Sequence, residues 1–88
     1  MNSIDIKEAK TIGTNLGIKW EEISLEEFTM GFNVEFEHGT RCPETNVTND
    51  DKIITGKIAW AHLKEFPDYY TRLKKMEKEA EAYWNKKE

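Results

Sequence analysis

The amino-acid sequence predicts an all-α domain built from four short helices. Apolar residues recur every three or four positions in four separate segments, and residues that typically start or stop a helix bound each segment. No segment shows the alternating pattern of a strand. The chain has 88 residues, the length of one small domain, so we expect residues 1–88 to form a single helical bundle with a modest core.

The first two helices are marked by their caps. Ser3 is the expected N-cap of the first helix, and Gly17 has the position of a C-cap glycine. Ser24 and Glu27 have the spacing of a capping box, in which the serine caps the backbone and the glutamate reaches back. We expect the second helix to end at Gly39. The apolar faces of these two helices comprise Ile6, Ala9, Ile12, Leu16, Leu25, Phe28 and Phe32.

A polar segment, residues 40–51, separates the second helix from the third and is predicted to be a loop because it is rich in turn formers. Thr48 or Asn49 is the expected N-cap of the third helix, which extends over about residues 51–66 until Pro67 ends it. The apolar positions of the fourth helix are expected to face the core. They are Tyr69 (or Tyr70), Leu73, Met76, Ala80 and Tyr83 (or Trp84).

The composition excludes several classes of partner. The net charge is −4 and the isoelectric point is about 5.2, which is opposite to the basic footprint of nucleic-acid binding. No apolar run approaches the roughly 20 residues that span a bilayer, and the N-terminus lacks the features of a signal peptide. The single cysteine, Cys42, fits a reducing compartment. We therefore expect a cytoplasmic protein with no nucleic-acid or membrane partner.

Two pairs of ionisable residues are the main indication of a functional site. Glu35 and His38 lie near the end of the second helix, and His62 and Glu65 near the end of the third; these are the only histidines. Residues three positions apart share one helix face. Both pairs continue an apolar face, where a charged group is costly unless it is paired, hydrogen-bonded or bound to a metal.

The first interpretation is a transition-metal site with these four side chains as ligands. Imidazole and carboxylate ligands suit zinc, iron(II) or manganese. The reversed order of the second pair departs from the motif of two-iron helical bundles, which favours a mononuclear site. Asp50 or Asp51 would form hydrogen bonds to these ligands without binding the metal itself. Cys42, four residues after His38, is either an additional thiolate ligand or a bystander.

The second interpretation is a structural cluster without a metal. Each carboxylate can pair with the histidine of its own helix, and a buried histidine bound to a carboxylate can join two helices. A third interpretation is a metal-free acid/base site, in which a carboxylate orients a histidine for proton transfer. The spacing leaves these alternatives open, and with them the question of enzymatic activity.

Two segments carry a resemblance to a known family. They are MGFNVEFEHG at residues 30–39, and TNVTNDD at residues 45–51 leading to TGKIAWAHLKEFPDYY at residues 55–70. Over about residues 9–80 the chain resembles a family of small, uncharacterised bacterial and phage proteins that share a domain of unknown function. The resemblance implies a small cytoplasmic helical protein of phage or prophage origin, and it transfers no activity and no site residue.

Two functions follow as hypotheses. The first is a small helical protein with a metal or buried His/Glu site between its second and third helices; any catalysis would use a metal-activated water. The second is a protein-interaction module, such as a phage-type inhibitor of a host protein, which the small size and acidic surface favour. The sequence leaves the oligomeric state open.

Overall fold

The computed structural model describes residues 3–87 and confirms the all-α fold. Four α-helices follow one another; a 3₁₀ turn extends the second, and another lies in the loop before the third. Within the described residues there is no strand. The helices are α1 (Ile6–Leu16), α2 (Leu25–Glu35), α3 (Lys52–Glu65) and α4 (Tyr69–Lys87), and the 3₁₀ turns are Phe36–His38 and Pro43–Thr45.

Helix α1 begins later in the chain than predicted. The N-cap is Asp5, whose carboxylate accepts a hydrogen bond from the backbone N–H of Glu8 at 2.8 Å, so the prediction of Ser3 is wrong. The reason is a tertiary contact: the side-chain amide of Asn33 accepts from the Ile4 N–H at 2.8 Å and donates to the Ile4 carbonyl at 3.1 Å. A helix that started after Ser3 would need the Ile4 carbonyl as the acceptor for the Glu8 N–H, and Asn33 occupies that carbonyl instead.

The cap of α2 is half of the predicted capping box. Gly17 ends α1 as predicted, with a φ of 99°, a left-handed conformation that glycine adopts without steric cost. The Ser24 hydroxyl accepts from the Glu27 N–H at 3.2 Å, as predicted. The Glu27 carboxylate, however, binds the start of α4 instead of reaching back to Ser24. Glu27 therefore forms a tertiary contact with α4 and does not complete the capping box.

Three phenylalanines, two in α2 and one in the 3₁₀ turn that follows it, form the centre of the core. Phe28, Phe32 and Phe36 follow one another at four-residue steps and pack edge to face, with ring centroids 6.0 and 4.9 Å apart. Such tilted aromatic pairs are the favoured geometry. Other segments supply the remaining buried apolar residues, which are Ile4, Ala9, Ile12, Ile18, Ala59, Leu63 and Tyr70.

The connection between α2 and α3 is an ordered loop. The Asp50 carboxylate accepts from the Thr40 N–H at 2.9 Å, and the Thr48 side chain is buried. Asn49 and Asp50 both have positive φ angles, 52° and 62°, which places them in a turn before the helix. The N-cap of α3 is consequently Asp51, which accepts from a backbone N–H at 2.9 Å, and the prediction of Thr48 or Asn49 is wrong.

α4 packs against the rest of the domain only over its first residues. Phe66 is extended, and Pro67 separates α3 from α4 as predicted. The 19 residues of α4 measure about 28 Å at 1.5 Å per residue. Leu73 still packs against the core, but every residue from 74 to 86 is exposed. The expectation that Met76 and the apolar residues after it face the core is therefore wrong. No described helix is long and apolar enough to cross a membrane.

Candidate functional site

Glu35, His62 and Tyr70 form a polar cluster where α2, α3 and α4 meet; we call it the tyrosine cluster. The Tyr70 hydroxyl donates to Glu35 Oε2 at 2.7 Å and lies 2.9 Å from His62 Nδ1. His62 Nδ1 is also 3.2 Å from Glu35 Oε2. Tyr70 is 1% and Glu35 5% exposed. One compact triangle of polar atoms thus joins three helices at the edge of the apolar core, where the His62 side chain is 31% exposed.

The hydrogen bonds fix the proton positions in the cluster. The Tyr70 hydroxyl has one proton, which goes to the Glu35 carboxylate, so its oxygen is left as an acceptor toward His62. His62 Nδ1 must then carry a proton, which both oxygens can accept. Nε2 is the lone-pair nitrogen when the ring of His62 is neutral. Among the described residues, no buried side-chain nitrogen or oxygen lacks a partner, as a stable buried network requires.

Burial raises the pKa of Tyr70 well above its usual value near 10, and the hydrogen bond to Glu35 raises it further. Ionising this phenol would place a second negative charge beside the carboxylate, away from water. Tyr70 is therefore a neutral hydrogen-bond donor near neutral pH.

Tyr70 lies along one face of α2 and contacts three positions spaced by four residues. Its backbone N–H donates to Glu27 Oε1 at 3.2 Å, and its hydroxyl reaches Glu35 two turns later. Between them is Gly31, where an added Cβ would lie only 2.2 Å from the ring of Tyr70. The absence of a side chain at Gly31 is what allows the ring to lie flat against the helix.

Glu27 also caps the N-terminus of α4 from a neighbouring helix. Its Oε1 lies 3.2 Å from the Tyr70 nitrogen and 3.4 Å from the Thr71 nitrogen, and its Oε2 accepts from the Thr71 hydroxyl. The first N–H groups of a helix have no partner within the helix, and a carboxylate interacts favourably with the positive end of the helix dipole. Glu27 and the tyrosine cluster together fix the first turn of α4.

The two predicted pairs have different positions in the structure. Glu35 and His62, one from each pair, are brought together in the tyrosine cluster. His38 lies in the 3₁₀ turn after α2, is largely exposed, and has its Nε2 4.0 Å from Glu35 Oε1. Glu65 is exposed, and none of the ion pairs found in residues 3–87 includes it. The equal spacing of the two pairs in the sequence therefore does not produce a symmetric site.

The other residues considered for the site have separate partners. Asp50 binds Thr40, and Asp51 caps α3. Cys42 is a free thiol, and a hydrogen bond from the Thr45 hydroxyl lowers its pKa. In the described part of the chain, no group of three or more His, Cys, Asp or Glu side chains is arranged to hold a metal ion.

Tyr70, Gly31 and Glu27 are the positions of the candidate site that sequence reasoning missed. The available signal was the spacing of Glu27, Gly31 and Glu35, two carboxylates on either side of a glycine on one helix face. That pattern indicates a groove with an acceptor at each end. It does not indicate which distant residue fills the groove.

A cleft elsewhere on the surface does not include the tyrosine cluster. Its volume is about 590 Å³, and its lining residues come from the chain start, the end of α2 and the following loop. They are Ser3, Asn33, Phe36, Glu37, Thr40, Arg41 and Asp50.

The fold and the site define a small all-α domain in which a buried polar cluster holds the start of a long final helix. The chain belongs to the family described as protein of unknown function (DUF5661), whose model matches residues 9–79. This match confirms the predicted resemblance to a domain of unknown function; the bacterial or phage origin stays a prediction. No match was found among curated proteins or among solved structures.

Proposed function

We propose that this domain is a protein-interaction module that presents residues 74–86 of α4, the projecting segment, to a protein partner. The observation that carries the proposal is the exposure of large apolar side chains there. Met76, Tyr83 and Trp84 are 58%, 52% and 65% exposed. Isolated exposed apolar residues are ordinary, but several on one short helical segment are typical of interaction surfaces.

The anchoring of α4 supports the same proposal. A helix that docks a partner must keep a defined direction, since ordering it during binding would cost affinity. Glu27 binds the backbone at its first turn, and Tyr70 ties that turn to Glu35 and His62. The tyrosine cluster would then hold the start of α4 in a fixed position. The hydrogen bonds among its three side chains agree with this role. A phage-type inhibitor of a host protein is one specific form of such a module.

Two alanines of the projecting segment provide a matched experiment. Ala80 lies at the helical spacing of Met76 and Tyr83, whereas Ala82 lies on a different face of the same helix. We expect Ala80→Glu to abolish recovery of a partner from cells of the source organism, measured by quantitative mass spectrometry of affinity-purified protein. Ala82→Glu introduces the same charge and should leave recovery unchanged. Equal recovery with both variants would contradict the proposal.

Metal binding at the tyrosine cluster is the second candidate. The observation that favours it is the position of the Glu35 carboxylate, with His62 Nδ1 3.2 Å from one oxygen and His38 Nε2 4.0 Å from the other. To share one zinc, iron(II) or manganese ion, these three groups would have to move closer together, and His62 Nδ1 would have to give up its proton to the other ring nitrogen. Glu65, the fourth predicted ligand, would have to move to join them.

Calorimetric titration of tag-free protein with Zn²⁺, Fe²⁺ and Mn²⁺ tests this candidate. Stoichiometric binding is expected for the natural chain and should be lost in His38→Ala combined with His62→Ala. Lys57→Ala with Lys64→Ala is a suitable control because both lysines are exposed on α3. Absence of stoichiometric binding by the natural chain would eliminate metal binding as a function.

A further inference from the structure

The apolar side chains of the projecting segment lie on one side of α4; we call this face the stripe. Its members are Met76, Ala80, Tyr83 and Trp84. Steps of three or four residues separate Ala80 from the other three, and such spacings bring side chains together on a helix surface. The stripe offers on the order of 300 Å² of apolar area, against about 800 Å² per partner in a standard stable interface. Apolar contact alone would therefore give weak association.

A groove lies along the stripe beside Trp84. Its volume is about 540 Å³, and its lining residues are Glu77, Ala80, Glu81, Trp84 and Asn85. Trp84 is 65% exposed, so its ring is available as one wall. Glu77 and Glu81 are exposed, and neither takes part in the ion pairs found in residues 3–87. The groove thus combines an aromatic ring with two carboxylates, the two kinds of group that attract an organic cation.

The charges next to the stripe are mainly negative. Residues 76–84 contain three glutamates and one lysine, a net charge of −2. A helix turns by about 100° per residue, so Glu77 lies only about 20° around the axis from Trp84, and Lys78 lies on the side of α4 opposite to the stripe. The remaining lysines of the projecting segment come before or after these residues, at positions 74, 75 and 86. A partner that covers the stripe therefore has carboxylates at the edges of the apolar contact.

This charge pattern favours a basic partner over a second copy of the chain. Two copies paired through the stripe would bring glutamates against glutamates, and like charges across an interface reduce affinity. A partner with basic side chains beside its apolar residues would instead pair with these carboxylates. The whole chain has a net charge of −4, so the long-range attraction acts in the same direction.

Arginine suits the groove better than lysine. Its planar guanidinium can stack on an aromatic ring while its N–H groups bind carboxylates, and tryptophan gives the strongest cation–π contact. Trp84 supplies the ring, and Glu77 and Glu81, which are one helical turn apart, supply the carboxylates. Such a contact adds directional attraction to an apolar area that is small by itself.

We propose that the partner of the projecting segment is a basic protein segment that covers the stripe with apolar side chains and places an arginine in the groove, over Trp84 and beside Glu77 and Glu81. This inference rests on the proposed function, because it names the chemistry of the partner of the same surface. The affinity of such a partner depends on the positive charge of the arginine and falls as salt rises.

Two synthetic peptides test the arginine contact against the full chain. The probe is an amphipathic helical peptide with leucines on one side and arginines beside them, and its control has citrulline, an uncharged residue of nearly the same shape, in place of each arginine. We expect calorimetric titration to show binding of the arginine peptide and binding at least about tenfold weaker for the citrulline peptide. Binding of the arginine peptide should weaken at least about threefold between 0.1 M and 1 M salt, because the screening length falls from about 10 Å to about 3 Å.

Two double variants of the protein locate the contact. Glu77→Gln with Glu81→Gln keeps the shape of the groove but removes its charges, and should weaken binding of the arginine peptide by about three- to tenfold. Glu21→Gln with Glu22→Gln is the matched control, because it removes the same charge from exposed positions of the body, and should change the affinity by less than about twofold. Circular dichroism checks that both variants keep the helical content of the natural chain.

No binding of the arginine peptide, equal affinity for both peptides, or equal weakening by the two double variants would overturn the basic partner. The proposed function fails separately. In the recovery experiment the longer side chain introduced by Ala80→Glu fills the groove and blocks any partner of the stripe. If Ala80→Glu alone loses a partner that Glu77→Gln with Glu81→Gln still recovers, the interaction surface stands and only the chemistry of its partner changes.

Discussion

The two ends of α4 have similar helix-forming sequences but opposite environments. In the anchored segment, residues 69–73, Tyr70 is buried and bound to two other helices, and Leu73 packs against the core. In the projecting segment, residues 74–86, every side chain is exposed even though Met76, Tyr83 and Trp84 continue the apolar pattern. Apolar spacing therefore identifies a face that can be buried, whereas the extent of the body decides how much of it is.

The largest difference between the two segments is expected from truncating one aromatic residue in each. Tyr70→Ala removes a buried ring and leaves Glu35 without its hydroxyl donor, and should cost about 3–5 kcal/mol of unfolding free energy. Trp84→Ala should change stability by less than about 0.5 kcal/mol, as is usual for exposed positions. Urea unfolding of dilute protein, followed by circular dichroism, measures both; equal losses would contradict the assignment of the anchored segment.

Gly31→Ala tests the close contact that admits Tyr70. Alanine normally favours a helix interior by about 1 kcal/mol over glycine, but here its Cβ would collide with the ring. We expect a net loss of about 1–3 kcal/mol from overpacking. The same change in the Tyr70→Ala background should be neutral or stabilising, because the obstructing ring is absent. A double-mutant cycle in a stabilising osmolyte measures this coupling, and additive effects would show that the collision is relieved elsewhere.

Tyr70→Phe isolates the hydroxyl. The ring remains, but Glu35 loses the donor of its 2.7 Å hydrogen bond, so we expect a loss of about 1–3 kcal/mol near neutral pH. Tyr83→Phe removes the same atom from an exposed ring and should cost clearly less stability than Tyr70→Phe. A Tyr83→Phe loss as large as that of Tyr70→Phe would show that the buried bond contributes nothing specific.

The contribution of the Tyr70 hydroxyl should also depend on pH. Its pKa is raised in the folded state and is about 10 in an unfolded chain. A group of this kind stabilises the fold fully below pH 10 and loses its contribution as the pH rises further. The stability advantage of the natural chain over Tyr70→Phe should therefore shrink between pH 9 and about pH 11. An advantage that grows over this range would contradict the burial of a neutral phenol.

The smallest effect is expected at the cap of α4. Glu27→Gln keeps the shape but removes the charge that binds the Tyr70 and Thr71 nitrogens, and should cost about 1 kcal/mol. Glu26→Gln is the matched control, because the neighbouring carboxylate is exposed and accepts from the Ser24 hydroxyl. Thermal unfolding of both variants measures the difference, and a larger loss for Glu26→Gln would show that the cap is unimportant.

Much of the fold could be predicted because its causes are local. The apolar spacing, Gly17, Ser24 and Pro67 all act through neighbouring residues, and each has its predicted effect on a helix. The cap prediction at Ser3 was wrong because the Asn33 side chain binds the Ile4 backbone. The prediction at Thr48 or Asn49 was wrong because Asn49 and Asp50 form a turn with positive φ angles before α3 begins.

Half of the candidate site could be predicted from its chemistry. Glu35 and His62 do meet, because a carboxylate and an imidazole on apolar helix faces need polar partners. The donor that joins them is Tyr70, which spacing within one helix could not reveal. Binding of metal by Glu35, His38, His62 and Glu65 stays a prediction, as does the cytoplasmic location.

The amino-acid sequence alone predicts four helices, their approximate ends and two ionisable groups that need polar partners. These properties depend on residues a few positions apart, which are read directly along the chain. The tertiary structure decided that Tyr70 lies over Gly31 between Glu27 and Glu35, and that α4 extends past the body. Both depend on how the helices meet in space, because a groove on one helix and the side chain that fills it are distant in the sequence.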